Sequence, residues 1–531
     1  MKNFPVDIYS ILDYGLEKWA EEFFWPVSDL EFSGLYTDIE KMFKNHVNAH
    51  QDETVAGLLL IQYKLIIEYA NFIHALWVVK RLEKSGHRLF ISPHGQTFYR
   101  GIIEGYSPEY ELKRTVIPSE TSWKRFILKA KDYGRDISLN GKIPVLSGGD
   151  SVKVLGWTTD IMAEYIRKQY RWVSIVRDFE WVKHGTVSGV PDKLREKLVL
   201  TAEELIFRIQ TIAGAHGLSL GKKETEYLRA LTFNRLMLTA EAYTLVEKRA
   251  KEIRLKELLI GGTGGYLRRI ISLVLQKRGV PVTGFTHGSY GGWLRCNVRV
   301  ASDFSVLNRY VTYTKKSAEL FEKIIEWDTP WRNHQVEIVS SESPIYFNRW
   351  KQYRKYPLPK KIQKVMIIGL TFRDDRKQQE VFDLPVLHLN LRLISMLKKN
   401  GYKVIYKSHP DGPFGGQNIP FLGNDVETAF RPFEEVLDSA DAYLFPYIGT
   451  STFGWALPTN KPMIVMEYKH KEWNGESGEL LKKRCRMVPM DYDDRGWLVF
   501  DEKQLLDALS QPPAPADTGF LEKYLFPENI R

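Results

Sequence analysis

Four polar clusters in the sequence hold the side-chain types that an anionic substrate and a moving proton require. Thr286-His-Gly-Ser-Tyr-Gly-Gly292 follows the apolar run Val280-Pro-Val-Thr-Gly-Phe285. A histidine just past a buried strand stands at the rim of a sheet, where an imidazole can give or take a proton near pH 7. His287 is that candidate, with Tyr290 beside it on the acceptor side. Lys407-Ser-His-Pro410 sets a cation, a hydroxyl and an imidazole together at another strand end, a set suited to a phosphate. Pro410 ends that strand by withholding an N–H. Gly449-Thr-Ser-Thr452 offers three hydroxyls, Thr450, Ser451 and Thr452, at the start of a helix, where backbone N–H groups also face an anion. In Gly261-Gly-Thr-Gly-Gly265, Gly264 and Gly265 let the backbone come close to a phosphate ahead of a helix.

Each cluster has a plainer reading. A lone histidine is more often structural, a proline can simply stop a strand, one Ser or Thr suffices for a helix cap, and glycines make turns. The glycine run is not G-x-G-x-x-G, and no acidic residue follows about 20 positions on, so a dinucleotide fold is not indicated. Three weaker candidates complete the set. His94 follows a short apolar run and could line the acceptor side. Glu467, at the end of Pro462-Met-Ile-Val-Met466, could accept hydrogen bonds from a ribose. Arg373-Asp-Asp-Arg376 reads better as a solvated charge run. There is no H-E-x-x-H and no D-x-D in an apolar setting, so neither a bound metal nor a resident cofactor is implied.

Strands and helices must hold these clusters in place. Glu257–Gly261, then a helix over Tyr266–Lys277, then Val280–Phe285 read as a βαβ unit of about 30 residues. The helix carries apolar Leu267, Ile270, Ile271, Val274 and Leu275 at helical spacing. A strand at Tyr310–Thr314 and a helix over Lys316–Ile325 follow. Ser341–Lys361 lacks a clear period and reads as a linker. The alternation then restarts: strands at Lys364–Gly369, Tyr402–Lys407, Ala442–Phe445 and Pro462–Met466, with helices at Val386–Lys399, Phe433–Ser439 and Phe453–Leu457. Alternation on both sides of a linker predicts an α/β protein of two Rossmann-like doubly wound domains with a cleft between them, ligands sitting beyond the carboxyl ends of the strands. A helical N-terminal element precedes them. The expected division is 1–85 helical, 86–340 the first domain with helical insertions, 341–361 linker, 362–500 the second domain and 501–531 a tail.

Composition narrows the class. The chain has 531 residues, 44% hydrophobic, enough for large cores and too apolar for a disordered chain. Lys and Arg exceed Asp and Glu by 75 to 65, a net charge of +10. That excess suits anionic partners without implying nucleic acid. Cys296 and Cys485 are the only cysteines, which excludes a disulfide framework and favours a reducing compartment. The apolar stretch Val55–Val79 contains Lys64, Glu68 and His74 and reads as a buried helix rather than a membrane span.

A strand leading into His-Gly, then His-Pro, then a Ser/Thr cluster resembles the two-Rossmann (GT-B) glycosyltransferases of bacterial surface polysaccharides. The pattern is similar to that of polysialyltransferase-like enzymes, capsule and O-antigen Kdo transferases, and teichoic-acid glycerophosphotransferases. The resemblance covers about Leu258 to Glu467 and does not extend to the first 200 residues. It implies a cytidine-nucleotide co-substrate, a CMP-sugar carrying Kdo or another ulosonic acid, or CDP-glycerol. It implies that His409 and Pro410, with Thr450, Ser451 and Thr452, meet the donor phosphate, and that His287 is a general base. Capsule β-Kdo transferases carry an acidic residue followed by Gly near this point. His287 stands there instead, which favours direct inverting displacement. The implied acceptor is a glycan, lipid-linked at the inner face of the cytoplasmic membrane. Peripheral membrane contact through the basic and aromatic Asn348-Arg-Trp-Lys-Gln-Tyr-Arg-Lys355 is one reading of that segment, a solvated linker the other. A polyol-phosphate transferase and a non-catalytic nucleotide- or glycan-binding protein remain as alternatives.

Overall fold

A computed structural model describes residues 1–93, 99, 102, 139, 152–156, 159–182, 189–286, 292–295, 299–369, 377–378, 381–409, 419, 421–423, 425–469 and 472–530. The N-terminal element begins with β1 (Lys2–Pro5) and continues through helices α1 (Ile8–Tyr14), α2 (Leu16–Glu22), α3 (Asp29–Ala49), α4 (Glu53–Ile61) and α5 (Leu65–Lys84) to β2 (His87–Phe90). Ser28 starts α3 with a capping box: its hydroxyl accepts from the Glu31 N–H while the Glu31 carboxylate accepts from the Ser28 N–H. The apolar stretch Val55–Val79 is buried, but as two helices, α4 and α5, bent by 58° at their junction. No single helix among the described residues is long and apolar enough to cross a membrane.

The first lobe contains β3 (Val152–Leu155), α6 (Asp160–Gln169), β4 (Ser174–Val176), the long helices α7 (Asp192–Ala215) and α8 (Lys222–Glu252), β5 (Glu257–Ile260), α9 (Tyr266–Lys277), β6 (Val282–Phe285), β7 (Arg309–Thr312), α10 (Lys315–Trp327) and β8 (Glu337–Ser340). Among the described residues its six strands are all parallel, in the order β4-β3-β5-β6-β7-β8. Helix α11 (Ile345–Tyr353) leads to the second lobe. There follow β9 (Lys364–Ile368), a short antiparallel pair β10 (Lys377–Gln378) and β11 (Val381–Phe382), then α12 (Asp383–Lys399), β12 (Lys403–Lys407), β13 (Glu427–Ala429), α13 (Phe433–Val436), β14 (Ala442–Phe445), α14 (Ser451–Ala456), β15 (Met463–Tyr468), α15 (Ser477–Arg484), β16 (Arg486–Tyr492), β17 (Leu498–Phe500), α16 (Glu502–Ser510) and α17 (Gly519–Tyr524). The sheet order is β13-β12-β9-β14-β15-β16-β17, parallel except for β17. Both sheets are doubly wound, and each has one switch point: between β3 and β5 in the first lobe, and between β9 and β14 in the second.

Three boundaries differ from the sequence expectation. The short apolar run ahead of His94 forms β2, which pairs in parallel with β1 outside the first lobe's sheet, whose first described strand is Val152–Leu155. The expected linker contains α11, whose Tyr346 is buried. In its basic-aromatic segment Trp350 packs on Phe526 with ring centroids 5.5 Å apart, so that indole serves the core. The tail also returns to the first lobe: Thr314 Oγ1 donates to the Tyr524 carbonyl at 2.7 Å, and Phe520 meets Trp293 at 5.2 Å.

The N-terminal element is bonded to both lobes. Arg332 in the first lobe donates to the carbonyls of Val47, Asn48 and His50. On the other side Tyr468 OH donates to Asp29 at 2.6 Å, Trp497 Nε1 to the Phe23 carbonyl at 2.6 Å, and His388 Nε2 to the Ala20 carbonyl at 3.0 Å. Burial pushes the His388 pKa down to about 4, with the Ala20 carbonyl opposing and Arg392 and Arg495 adding to the fall. The unfolded chain takes this proton near pH 6.5 and the folded chain only near 4, so stability falls as pH drops through that window. The loss reaches at most roughly 3 kcal/mol. Urea midpoints at pH 7 and pH 4.5 should show the fall, and His388→Gln should flatten it; an equal fall in the variant would assign it to other groups.

Candidate active site at the junction of the lobes

The two switch points are occupied by two of the four clusters. Gly261–Gly265 follows β5, and the Pro446–Thr452 turn follows β14. Lys407 and His409 end and follow β12, next to β9. Glu467 lies on β15, next to β14. His94, His287, Tyr290 and Pro410, together with the Arg373–Arg376 run, lie outside the described residues.

Lys407 is the most constrained of these groups. Its side chain is buried at the end of β12, and its ammonium donates to the Ser408 carbonyl at 2.7 Å. Burial pulls its pKa below the ordinary lysine range, with Glu434 offsetting part of the shift. An ammonium has three donors, and among the described residues this bond is its one hydrogen bond. A buried cation so little compensated favours a nearby anion. His409 is half-buried two residues on.

Thr450 is the N-cap of α14, Ser451 is exposed and Thr452 half-buried. The helix has six residues, too short for a strong dipole. An anion here would be held by hydroxyls and backbone N–H groups instead. A Cβ at Gly449 would meet the Tyr447 hydroxyl at 1.9 Å, so any side chain there would have to displace the Tyr447 ring. The end of α14 is clamped by Arg484, wholly buried, which donates to the carbonyls of Leu457 at 2.9 Å and Thr459 at 2.7 Å. A cation against the last carbonyls of a helix satisfies acceptors that the helix itself leaves open.

Gly264 and Gly265 present a different case. Both are exposed, and a Cβ at either would meet no atom within 4 Å. Packing does not demand glycine at these positions. Their loop is fixed from Thr263, whose N–H and hydroxyl both donate to the buried Asp303 carboxylate, at 3.2 and 2.6 Å. If the glycines serve backbone contact with an anion, Gly265→Ala should leave the melting temperature unchanged or slightly raised and weaken nucleotide binding several-fold. Calorimetry showing unaltered affinity would return them to the status of turn residues.

The lobes meet at a buried seam beside these clusters. Trp293, which follows the His287 cluster, is 1% exposed and packs edge-on against Phe453 of α14 with centroids 6.4 Å apart. Asn474, fully buried in the second lobe, donates from Nδ2 to the carbonyls of Gly292 and Leu320 at 2.8 Å each. Ser477 Oγ donates to the Trp293 carbonyl at 2.8 Å, and Leu294 forms an antiparallel bridge with Trp473. Gly292 has φ +78°, a left-handed conformation that a side chain would strain. A second tie runs from Asp160 of the first lobe to Arg349, whose guanidinium lies 3.2 Å from the centre of the Trp455 ring of α14. The segment 292–295 therefore packs against α14, the helix whose first turn carries the hydroxyl cluster.

Next to the seam is a cavity of about 520 Å³, beyond the carboxyl ends of β15 and β16. Glu467, Lys469, Trp473, Lys482 and Asp491 supply its polar walls. Trp473 Nε1 donates to Glu467 Oε1 at 3.0 Å, and Lys469 pairs with Asp491 at 3.3 Å. Glu467 was legible in the sequence as a candidate. Trp293, Trp473 and Asn474 were not, because nothing in their spacing distinguishes them from the other tryptophans and asparagines. Their roles arise from contacts between residues 154 to 184 positions apart in the chain. Gly264 and Gly265 lie at the switch point beside β5 and make no hydrogen bond to the second lobe among the described residues.

No family model matches the chain, and no curated protein matches it. Among solved structures, a UDP-N-acetylglucosamine 2-epimerase from Rickettsia bellii is similar at 11% identity and a TM-score of 0.38, over 71% of this chain and 94% of that one. A putative UDP-N-acetylglucosamine 2-epimerase from Listeria monocytogenes is similar at 11% identity and 0.35, over 70% and 93%. Phytolacca americana UGT2, complexed with UDP-2-fluoro-glucose and pterostilbene, is similar at 12% identity and 0.32, over 67% and 89%. Likeness at this level says nothing of substrate or reaction.

Proposed function

We propose that the protein is a metal-independent glycosyltransferase that moves a sugar from a nucleotide donor to a glycan acceptor. The observation that carries this reading is the buried, under-compensated Lys407 ammonium at the carboxyl end of the sheet, two strands from the hydroxyl cluster of α14. Together they form an anion clamp without a metal. A departing nucleoside phosphate gains negative charge as its bond to the sugar breaks, and fixed donors aimed at that charge lower the barrier. His409 adds an imidazole to the clamp.

His287 acts as the base. The acceptor hydroxyl oxygen attacks the anomeric carbon and its proton passes to the His287 imidazole. The bond from that carbon to the phosphate oxygen breaks, and the nucleotide leaves with the electron pair. One displacement inverts the anomeric centre. Residue 287 directly follows Thr286, which ends β6 with its N–H on the Val311 carbonyl at 2.9 Å. The resemblance to the polysialyltransferase and Kdo transferase group favours CMP as the carrier and an ulosonic acid as the sugar.

A donor panel tests the reading. The protein is incubated with CMP-Kdo, CMP-sialic acid, CDP-glycerol and UDP-sugars, and slow donor hydrolysis is followed by release of free nucleotide. Release from one sugar nucleotide supports the proposal, and release from CDP-glycerol alone moves it to a polyol-phosphate transferase. Binding of a nucleotide with no turnover of any donor leaves a non-catalytic binding protein.

A further inference from the structure

The cavity of about 520 Å³ beside the seam falls within the range of small-molecule sites. Its walls combine an indole, a carboxylate held from one side, and lysines at positions 469 and 482. Trp473 Nε1 occupies Oε1 of Glu467 at 3.0 Å; among the described residues no hydrogen bond reaches Oε2. A carboxylate with one oxygen pinned and the other open is an acceptor for a ligand hydroxyl, and an indole beside it covers the apolar face of a ring.

Three features fix the indole. Gly478 on α15 leaves room for it: a Cβ there would fall 2.5 Å from the Trp473 ring. The backbone of Trp473 is bridged to Leu294 of the first lobe. The next residue, Asn474, is buried and donates to two first-lobe carbonyls. The orientation of the Glu467 carboxylate in the second lobe thus depends on a segment anchored in the first.

We propose that this cavity binds a polyhydroxylated ring, with Glu467 as the hydroxyl acceptor and Trp473 as the positioning residue that orients Glu467, and that the docked first lobe is required for binding because Asn474 anchors Trp473. The inference rests on the functional reading above for its relevance to transfer, but it is a statement about binding and is tested without turnover. The ring could belong to a sugar or to the ribose of a nucleoside; the chemistry is shared.

The test is calorimetry on the full chain with cytidine, uridine, glucose and N-acetylneuraminic acid as separate probes. At least one is expected to bind; nucleosides alone binding makes the ring a ribose, monosaccharides alone a sugar. For that probe, Glu467→Gln and Trp473→Phe should each weaken affinity by about tenfold, the second because phenylalanine keeps the aromatic wall but loses the N–H that holds the carboxylate. The double variant should lose little more than either alone, since the two act through one bond. Asn474→Ala should weaken the same probe with α15 still folded, and Ser477→Ala, which removes only the bond to the Trp293 carbonyl, gives a milder form if Asn474→Ala does not fold. A purely structural Trp473 would lower stability and leave probe affinity in the folded protein unchanged, and that result overturns the proposal. So does the absence of binding by all four probes, or independent losses that multiply in the double variant. Failure of every donor in the panel above, with these binding results intact, removes the transferase reading and leaves the cavity.

Discussion

His287→Ala is expected to lower turnover by about 10²–10⁴-fold while the affinity for nucleotide stays as in the wild type. The expectation follows from the proposed division of roles between the two lobes. The groups proposed to meet the phosphate, Lys407, His409 and the hydroxyls of Thr450, Ser451 and Thr452, all come from the second lobe. The proposed proton acceptor, residue 287, belongs to the first and follows Thr286 in the sequence. A variant that removes only the base should therefore separate kcat from donor binding. Added small nucleophiles such as azide, which need no deprotonation, should restore part of the lost rate by attacking the anomeric carbon themselves. Unchanged turnover in His287→Ala would sink the assignment, and a parallel fall in nucleotide affinity would place the histidine with the phosphate clamp instead.

The second large effect is on stability. Asp303 is fully buried in the π-helical turn Val300–Phe304. It accepts from Thr263 and from Arg299 Nη1 at 2.7 Å, and Arg269, also wholly buried, lies close enough to feel its charge. Burial alone would raise the Asp303 pKa, but the Arg299 charge and the bonds from Thr263 and Arg299 outweigh it and hold the carboxyl below its ordinary range. The stabilisation from this group is present above the unfolded carboxylate range and is lost as pH falls through the lowered value, so at neutral pH it is complete. Asp303→Ala removes the carboxylate that pairs with Arg299 and that Thr263 uses to anchor the Gly261–Gly265 loop. Breaking a buried pair from one side costs about 3–5 kcal/mol, read as a lower urea midpoint. A loss under about 1 kcal/mol would mean that water reaches the arginines and that the pair is not an anchor.

The parts of the fold that were legible in the sequence are those with a strong local period. Tyr266–Lys277 shows its apolar stripe at helical spacing, and Ile270, Ile271, Val274 and Leu275 are indeed the buried side. The strands at Glu257, Val282, Lys364, Ala442 and Met463 read as short apolar runs because both faces of a parallel sheet are covered. Val152–Leu155 was not legible: four residues, one of them lysine, give too little pattern, and its neighbour Ser174–Val176 is a three-residue edge strand with half-exposed side chains. Helix α11 was read as a linker because Pro, Ser and basic residues surround its short aromatic run; Tyr346, Phe347, Trp350 and Tyr353 nevertheless share one face, and Phe347 and Trp350 both pack on Phe526. The chemistry-bearing turns were found by residue type. The seam was not, since a buried asparagine bonding two distant carbonyls leaves no trace in spacing. Arg484 gave no signal either, as its four acceptors are backbone atoms.

The most direct test of the shared crevice is amide hydrogen exchange with and without CMP at saturating concentration. The account predicts slower exchange in two peptides from opposite lobes, one covering residues 286–295 and one covering 447–456, with the amino ends of both sheets unaffected. Protection confined to surfaces away from these segments, with CMP demonstrably bound, would contradict it.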